Sequence, residues 1–212
     1  MGLDRRVTFA IGIFDLFTYA IPGSLYLAFF AHVITRLHLL GGGAMTGTPA
    51  WLLVVLVVVL SYLLGYLAYP AGELANRIVP RRRKRNASQE FRTRVPAAEG
   101  RDFVDMDRSV LLSAIELHDK DVAIEVKRLR ATGLMLRNSA PPLALGFVAA
   151  VVELFAGRNH ALAAGCAVLL LGGFVAFIVQ ARRLAHWAVM KTLELCYWIP
   201  DIDDRCRQVP KS

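Results

Sequence analysis

Four long apolar runs organise the chain, at residues 9–33, 51–69, 141–156 and 161–179. A helix that rises 1.5 Å per residue needs about 20 mostly apolar residues to cross bilayer hydrocarbon, so each run is a candidate span, the third being short. The second, WLLVVLVVVLSYLLGYLAY, carries no charge. Trp51 stands at one end and Tyr62, Tyr66 and Tyr69 toward the other, where amphipathic rings favour the interface. The first run follows MGLDRR, the basic start of a signal peptide, but it is too long for a signal h-region and no small-x-small cleavage site follows, so it is expected to stay as a span. Only Gly157, Arg158, Asn159 and His160 separate the third and fourth runs, which therefore form an antiparallel hairpin. Whether that hairpin crosses fully or is re-entrant stays open, because the third run begins at Pro141-Pro142.

Between the spans the texture changes twice. Residues 71–102 mix Pro, Gly, Arg and small polar residues without apolar periodicity and read as a basic, flexible linker. From Phe103 to Asn138, Met106, Val110, Ile115, Val122, Val126 and Leu129 recur at helical intervals, with a break at His118-Asp119 where Asp119 would cap a second segment. The fourth span is expected to continue as helix through 181–199 until Pro200 ends it, and to pack against 103–137 as a small helical subdomain. Glu116 with Lys120 has the spacing of a surface ion pair.

Composition sharpens this into a membrane class: 56% of the 212 residues are hydrophobic, and the mean hydropathy is +0.46. Charge then orients the spans. With the N-terminus inside, all of the 25 Lys and Arg except Arg36 and Arg158 fall in the inner segments, which by the positive-inside rule places both termini and the subdomain in the cytoplasm. Arg81, Arg82, Arg83, Lys84 and Arg85 resemble a nucleic-acid patch, but this close to a span they read as a topology anchor facing anionic headgroups, so nucleic acid is not expected as a partner. The three cysteines offer neither a disulfide framework nor a CxxC metal pair, and no hydrolase, nucleotide-loop or zincin signature is present. Neither an enzyme activity nor a cofactor is expected.

Chemistry-bearing residues are few. Asp15 puts a carboxyl inside a span, at about 2.5–3.5 kcal/mol on insertion scales if charged, which makes it a functional candidate. Pro22 removes a helical hydrogen bond in mid-span, and the Pro22-Gly23 break is tolerable only against other protein. Asp15, Tyr19, Pro22 and Tyr26 then share one protein-facing stripe. Small residues that let helix backbones approach line up twice: Ser61, Gly65, Ala68 and Gly72 on the second span, and Ala161, Gly165, Val168 and Gly172 on the fourth. Both sets are expected to pack within the chain. Glu153 is expected to pair locally with Arg158 or His160. Asp102, Asp105, Asp107, His118, Asp119 and Asp121 gather acid groups in sequence, but a helix spreads them over several faces.

FDLFTYAIPGSLYL (14–27), followed one span later by SYLLGYLAYPAGEL (61–74), resembles a pattern in small multi-pass bacterial inner-membrane proteins, some of which accompany anti-phage defence genes. The resemblance covers residues 9–75. It implies an inner-membrane protein and a defence-type effector, and it carries over no catalytic residue. The expected architecture is therefore all-α and polytopic, with four transmembrane helices and a small cytoplasmic helical subdomain. Such a chain is expected to form homo-oligomers. Two functions compete: an oligomeric membrane-perturbing or channel-like effector controlled through its cytoplasmic helices, and a membrane anchor or scaffold for a soluble cytoplasmic partner.

Overall fold

The computed structural model describes residues 3–37, 49–80, 86–157, 159–200 and 202–207, without the side chains of 3–15 and 205–207. The basic run Arg81, Arg82, Arg83, Lys84 and Arg85 lies outside the described residues, as do Arg158 and the Asp15 side chain.

The described residues are almost wholly helical: α1 (Leu3–Arg36), α2 (Ala50–Leu67), α3 (Tyr69–Ile78), α4 (Ala87–Arg94), α5 (Arg108–His118), α6 (Lys120–Ala156), α7 (His160–Tyr197) and α8 (Ile202–Arg207). Short 3₁₀ turns at Pro96–Ala98 and Asp102–Asp105 link α4 to α5. Four helices, α1, α2, α6 and α7, are long and apolar enough to cross a membrane. Val54, Val55, Leu56, Val57, Val58 and Val59 of α2 are all exposed, so the described residues leave this apolar stretch of the helix uncovered. Water does not tolerate such a surface, and hydrocarbon does.

Local rules explain where the helices begin and end. Asp107 caps α5, its Oδ1 accepting from the Ser109 amide at 2.7 Å. After His118 the chain breaks, and Asp119 Oδ1 accepts from the amides of Asp121 (2.9 Å) and Val122 (3.2 Å) to start α6, the cap its position suggested. The third apolar run does not start a helix of its own. α6 continues from Lys120 straight through Pro141 and Pro142, because their missing N–H groups cost two rungs without removing the apolar packing that holds the helix. α7 likewise runs on to Tyr197, just short of Pro200.

The chain divides into two compact units. Unit 1 comprises residues 1–80 and 134–181. In it α1 packs on α2, and Ala75, Ala140 and Ile178 form a small core with Val79, Phe174 and Phe177. Gly146 of α6 faces Leu170 of α7, and Gly173 of α7 faces Leu143. Arg36 of α1 makes a two-toothed pair with Glu153 of α6, Nε to Oε1 at 2.5 Å and Nη2 to Oε2 at 2.7 Å. Glu153 thus finds its partner 117 positions away, and His160 instead places Nδ1 2.7 Å from the Leu154 carbonyl.

Unit 2 comprises residues 81–133 and 182–212. Its core joins Phe91, Ala98, Phe103, Val104, Leu111, Ile115 and Ala123 to Met190, Leu193, Cys196, Ile199 and Ile202. The rings of Phe91 and Phe103 meet edge to face, 6.3 Å apart. Arg101 bonds Asp203 at 2.5 Å and lies over the Phe103 and Tyr197 rings. Here the expectation of a flexible linker at 71–102 is corrected. The segment holds most of α3, all of α4 and a 3₁₀ turn, and it buries Phe91 and Ala98 in this core. It lacks periodicity because it contributes single anchoring side chains, with Asn86 capping α4 at the Ser88 amide, rather than one long amphipathic face. Glu116 pairs with Lys127 at 2.7 Å rather than with Lys120, since the break at Asp119 ends the α5 register.

Candidate functional site

Two places concentrate chemistry, one in each unit. The first is the seam between α1 and α2. A Cβ placed on Gly23 would lie 1.5 Å from the Ser61 carbonyl oxygen, and one on Gly65 would lie 1.8 Å from the Tyr19 carbonyl oxygen. Each glycine therefore seats its Cα against a backbone carbonyl of the other helix, the close approach that small residues permit. Pro22, Gly23 and Tyr26 are buried, as is Thr18 beside them, while Tyr19 sets its ring 5.7 Å from those of Tyr62 and Tyr66. The Tyr26 hydroxyl and Ser61 Oγ are buried with no hydrogen-bond partner among the described residues. The seam thus combines a tight backbone contact with unsatisfied hydroxyls, an arrangement that costs stability unless a water or a ligand enters.

The other small-residue sets divide. Ser61, Gly65, Ala68 and Gly72 are all buried, Gly72 against Asn138. Ala161, Gly165, Val168 and Gly172 face outward, and nothing lies within 4 Å of a Cβ on Gly165 or Gly172. The expectation that this second set packs within the chain is therefore corrected. α7 turns a different face inward, with Ala163, Ala167 and Ile178 buried. Side-chain size shows which residues permit contact, but not which face receives it.

The second place is a groove of about 260 Å³ in unit 2, lined by Glu90, Arg94, Leu129, His186, Trp187, Met190, Lys191 and Glu194. Glu90 is its hub. One carboxylate oxygen stands 2.9 Å from His186 Nε2 and the other accepts from Arg94 Nη2 at 2.6 Å. Arg183 stacks over the half-exposed Trp187 ring, 4.6 Å from its centroid. Neither Glu90 nor His186 stands out in the sequence, because 96 residues separate them. Desolvation raises the Glu90 carboxyl, but the charges of His186 and Arg94 and their hydrogen bonds outweigh it and hold its pKa below the ordinary carboxylate value.

The sign of that shift sets a pH dependence. A carboxylate whose pKa is lowered by folding stabilises the fold above its unfolded pKa, and that contribution fades as pH falls through the lower folded value. Unit 2 should lose stability on acidification below about pH 4.5, the ordinary value for Glu90. Glu90→Gln removes this part of the acid limb, so its stability should vary less with pH there than the wild type's, as read by thermal melts across pH 3 to 7.

The acid groups that cluster in sequence disperse in the fold. Asp105 pairs with Arg92 at 2.7 Å, while Asp107 and Asp119 serve as caps. Among the described residues no three His, Cys, Asp or Glu side chains gather as metal ligands. Cys166 is exposed and Cys196 is buried, its Sγ 3.8 Å from the Leu111 carbonyl oxygen. No family model, no characterised protein and no solved structure matches this chain.

Proposed function

We propose that the chain is a bacterial inner-membrane protein with four spans and both termini in the cytoplasm, and that homo-oligomers of it perturb or conduct across the membrane under control of the unit 2 helices. One observation carries this reading: α6 and α7 are uninterrupted helices, and each lends residues to the apolar unit and to the helical subdomain. A rearrangement in the Glu90 groove then acts on helices that also build the spans. Asp15 lies on α1, one turn before Tyr19 of the α1–α2 seam, and supplies a charge to an ion path. A role in anti-phage defence fits this reading through the sequence pattern at 14–27 and 61–74. The basic run Arg81–Arg85 holds the inner face against anionic lipid. The reading assigns no catalytic residue and no cofactor.

The test is membrane depolarisation on induced expression in a bacterial host, wild type beside Asp15→Asn at matched protein levels. Wild type is expected to depolarise the membrane and the variant to do so less. Inserted protein that leaves the potential unchanged, with the variant indistinguishable, would count against the effector.

A second reading, an anchor for a soluble cytoplasmic partner, draws on Leu117 and Trp198 of unit 2, which are 84% and 79% exposed. Large apolar side chains left uncovered outside the apolar unit suit a docking surface. Recovery of a stoichiometric partner from detergent extracts, with no depolarisation, would favour it.

A further inference from the structure

Arg137 sits on α6 four residues before Pro141, its side chain only 15% exposed. Its Nη1 donates to Glu73 Oε2 at 3.0 Å, and its guanidinium lies 4.6 Å from the centroid of the Tyr69 ring. The remaining edge, Nε and Nη2, is buried and has no hydrogen-bond partner among the described residues. Those two nitrogens form the side of the guanidinium that offers parallel N–H groups, the fork that binds a carboxylate or phosphate with two bonds. Arg36 shows the same edge in use, with Nε and Nη2 each on one oxygen of Glu153. In Arg137 no described residue takes the fork, and leaving charged donors unsatisfied in a buried place is costly.

The neighbours add the complementary need. Asn138 and Ser139 are each 1% exposed, and Asn138 Oδ1 and Ser139 Oγ also have no partner among the described residues. Pro141 and Pro142 cannot donate to the carbonyls four residues earlier, those of Arg137 and Asn138. The group that satisfies this cluster accepts two N–H bonds and donates hydroxyls.

We infer that the free edge of Arg137 binds the phosphate of an anionic lipid headgroup, a phosphoglycerol, whose hydroxyls serve Asn138 and Ser139. Charge favours one anion: Glu73 lies 3.7 Å from Arg77 and 3.0 Å from Arg137, so the trio carries one net positive charge. A zwitterionic headgroup would leave that charge unmet. The level in the membrane fits as well. Tyr69 is half-exposed at the junction of α2 and α3, and α3 buries Gly72 and Ala75 while exposing Leu74 and Ile78, as a helix lying in the headgroup layer does. The half-exposed Tyr69 ring stacked on the guanidinium is the side chain that swings aside to admit the lipid.

This inference rests on the membrane reading but not on the effector reading. Carbonate washing of membranes comes first: release of the chain would overturn the membrane reading itself, a failure separate from that of the fork. The full chain is then melted in mild detergent with phosphatidylglycerol, phosphatidylcholine or inorganic phosphate. Phosphatidylglycerol near a hundredfold its Kd is expected to raise the apparent Tm by about 8 °C, and phosphatidylcholine to leave it unchanged. Arg137→Lys keeps the charge but not the fork, and is expected to lose most of that shift. An equal response to the two lipids, or an undiminished shift in Arg137→Lys, overturns the proposal. An equal shift with inorganic phosphate overturns the lipid as the source and leaves a site for a free oxyanion. Should Arg137→Lys not fold, the wild-type comparison of the two lipids decides alone.

Discussion

Phe103→Ala is expected to destabilise unit 2 by about 3–5 kcal/mol, the cost of emptying a fully buried aromatic site. Phe103 is 0% exposed and joins three parts of the core. It meets Phe91 edge to face, it lies under the Arg101 guanidinium 5.4 Å away, and it holds the 3₁₀ turn at Asp102–Asp105 in place, where its amide donates to Asp203 Oδ1 at 3.2 Å. Alanine leaves a cavity, takes away the ring that Arg101 covers, and loosens the turn that bonds α8. Denaturant unfolding followed by Trp187 and Trp198 fluorescence reads the change, since both rings belong to unit 2. Leu117→Ala is the control: its side chain is 84% exposed, and the substitution should stay within about 0.5 kcal/mol of wild type. A Phe103→Ala midpoint no lower than that control's would mean that this core does not hold unit 2 together.

Gly65→Leu is expected to force α1 and α2 apart. Even a methyl group there would lie 1.8 Å from a backbone oxygen of Tyr19, which no side-chain rotation relieves. Overpacking of this kind costs about 3 kcal/mol at the upper end of its usual range, or a drop of roughly 10 °C in Tm for a chain of this size. The matched control is Gly165→Leu on α7, where among the described residues nothing stands within 4 Å of a Cβ. Melting the two variants in the same detergent should show a large loss for Gly65→Leu and little change for Gly165→Leu. The reverse order would assign the packed face to α7 and overturn the α1–α2 seam.

Much of the helical layout was legible in the residues because its causes are local. Hydropathy located four apolar helices, Asp119 announced the start of α6, and Pro200 marked the end of α7. The face of Ser61, Gly65, Ala68 and Gly72 was legible for the same reason as the Pro22-Gly23 break, since both demand a close neighbour. Pairings between distant parts were not legible. Glu153 had two candidate partners within seven positions, yet it reaches Arg36, and Glu90 finds His186 across 96 residues. Phe91 and Ala98 stand in a stretch whose Pro, Gly and Arg content reads as linker, and only the core that receives them shows their role. The α7 stripe at Ala161, Gly165 and Gly172 failed for a different reason. Smallness is a permission for contact, and α7 carries a second small face, at Ala163 and Ala167, which is the one that is buried.

The interleaving of the two units also fixes an order of events during synthesis. Phe91, Phe103, Val104, Leu111 and Ile115 are made before α6 and α7, but the residues that cover them come only at the end of α7, Leu193 and Cys196, and after it, Ile199 and Ile202. At translation rates of 5–20 residues per second, the roughly 90 residues between Phe103 and Leu193 leave half of that core bare for about 5–20 s. For that interval the nascent chain carries a greasy, half-built subdomain while its later apolar helices are still being delivered, and chaperone capture or premature degradation has its best opportunity there.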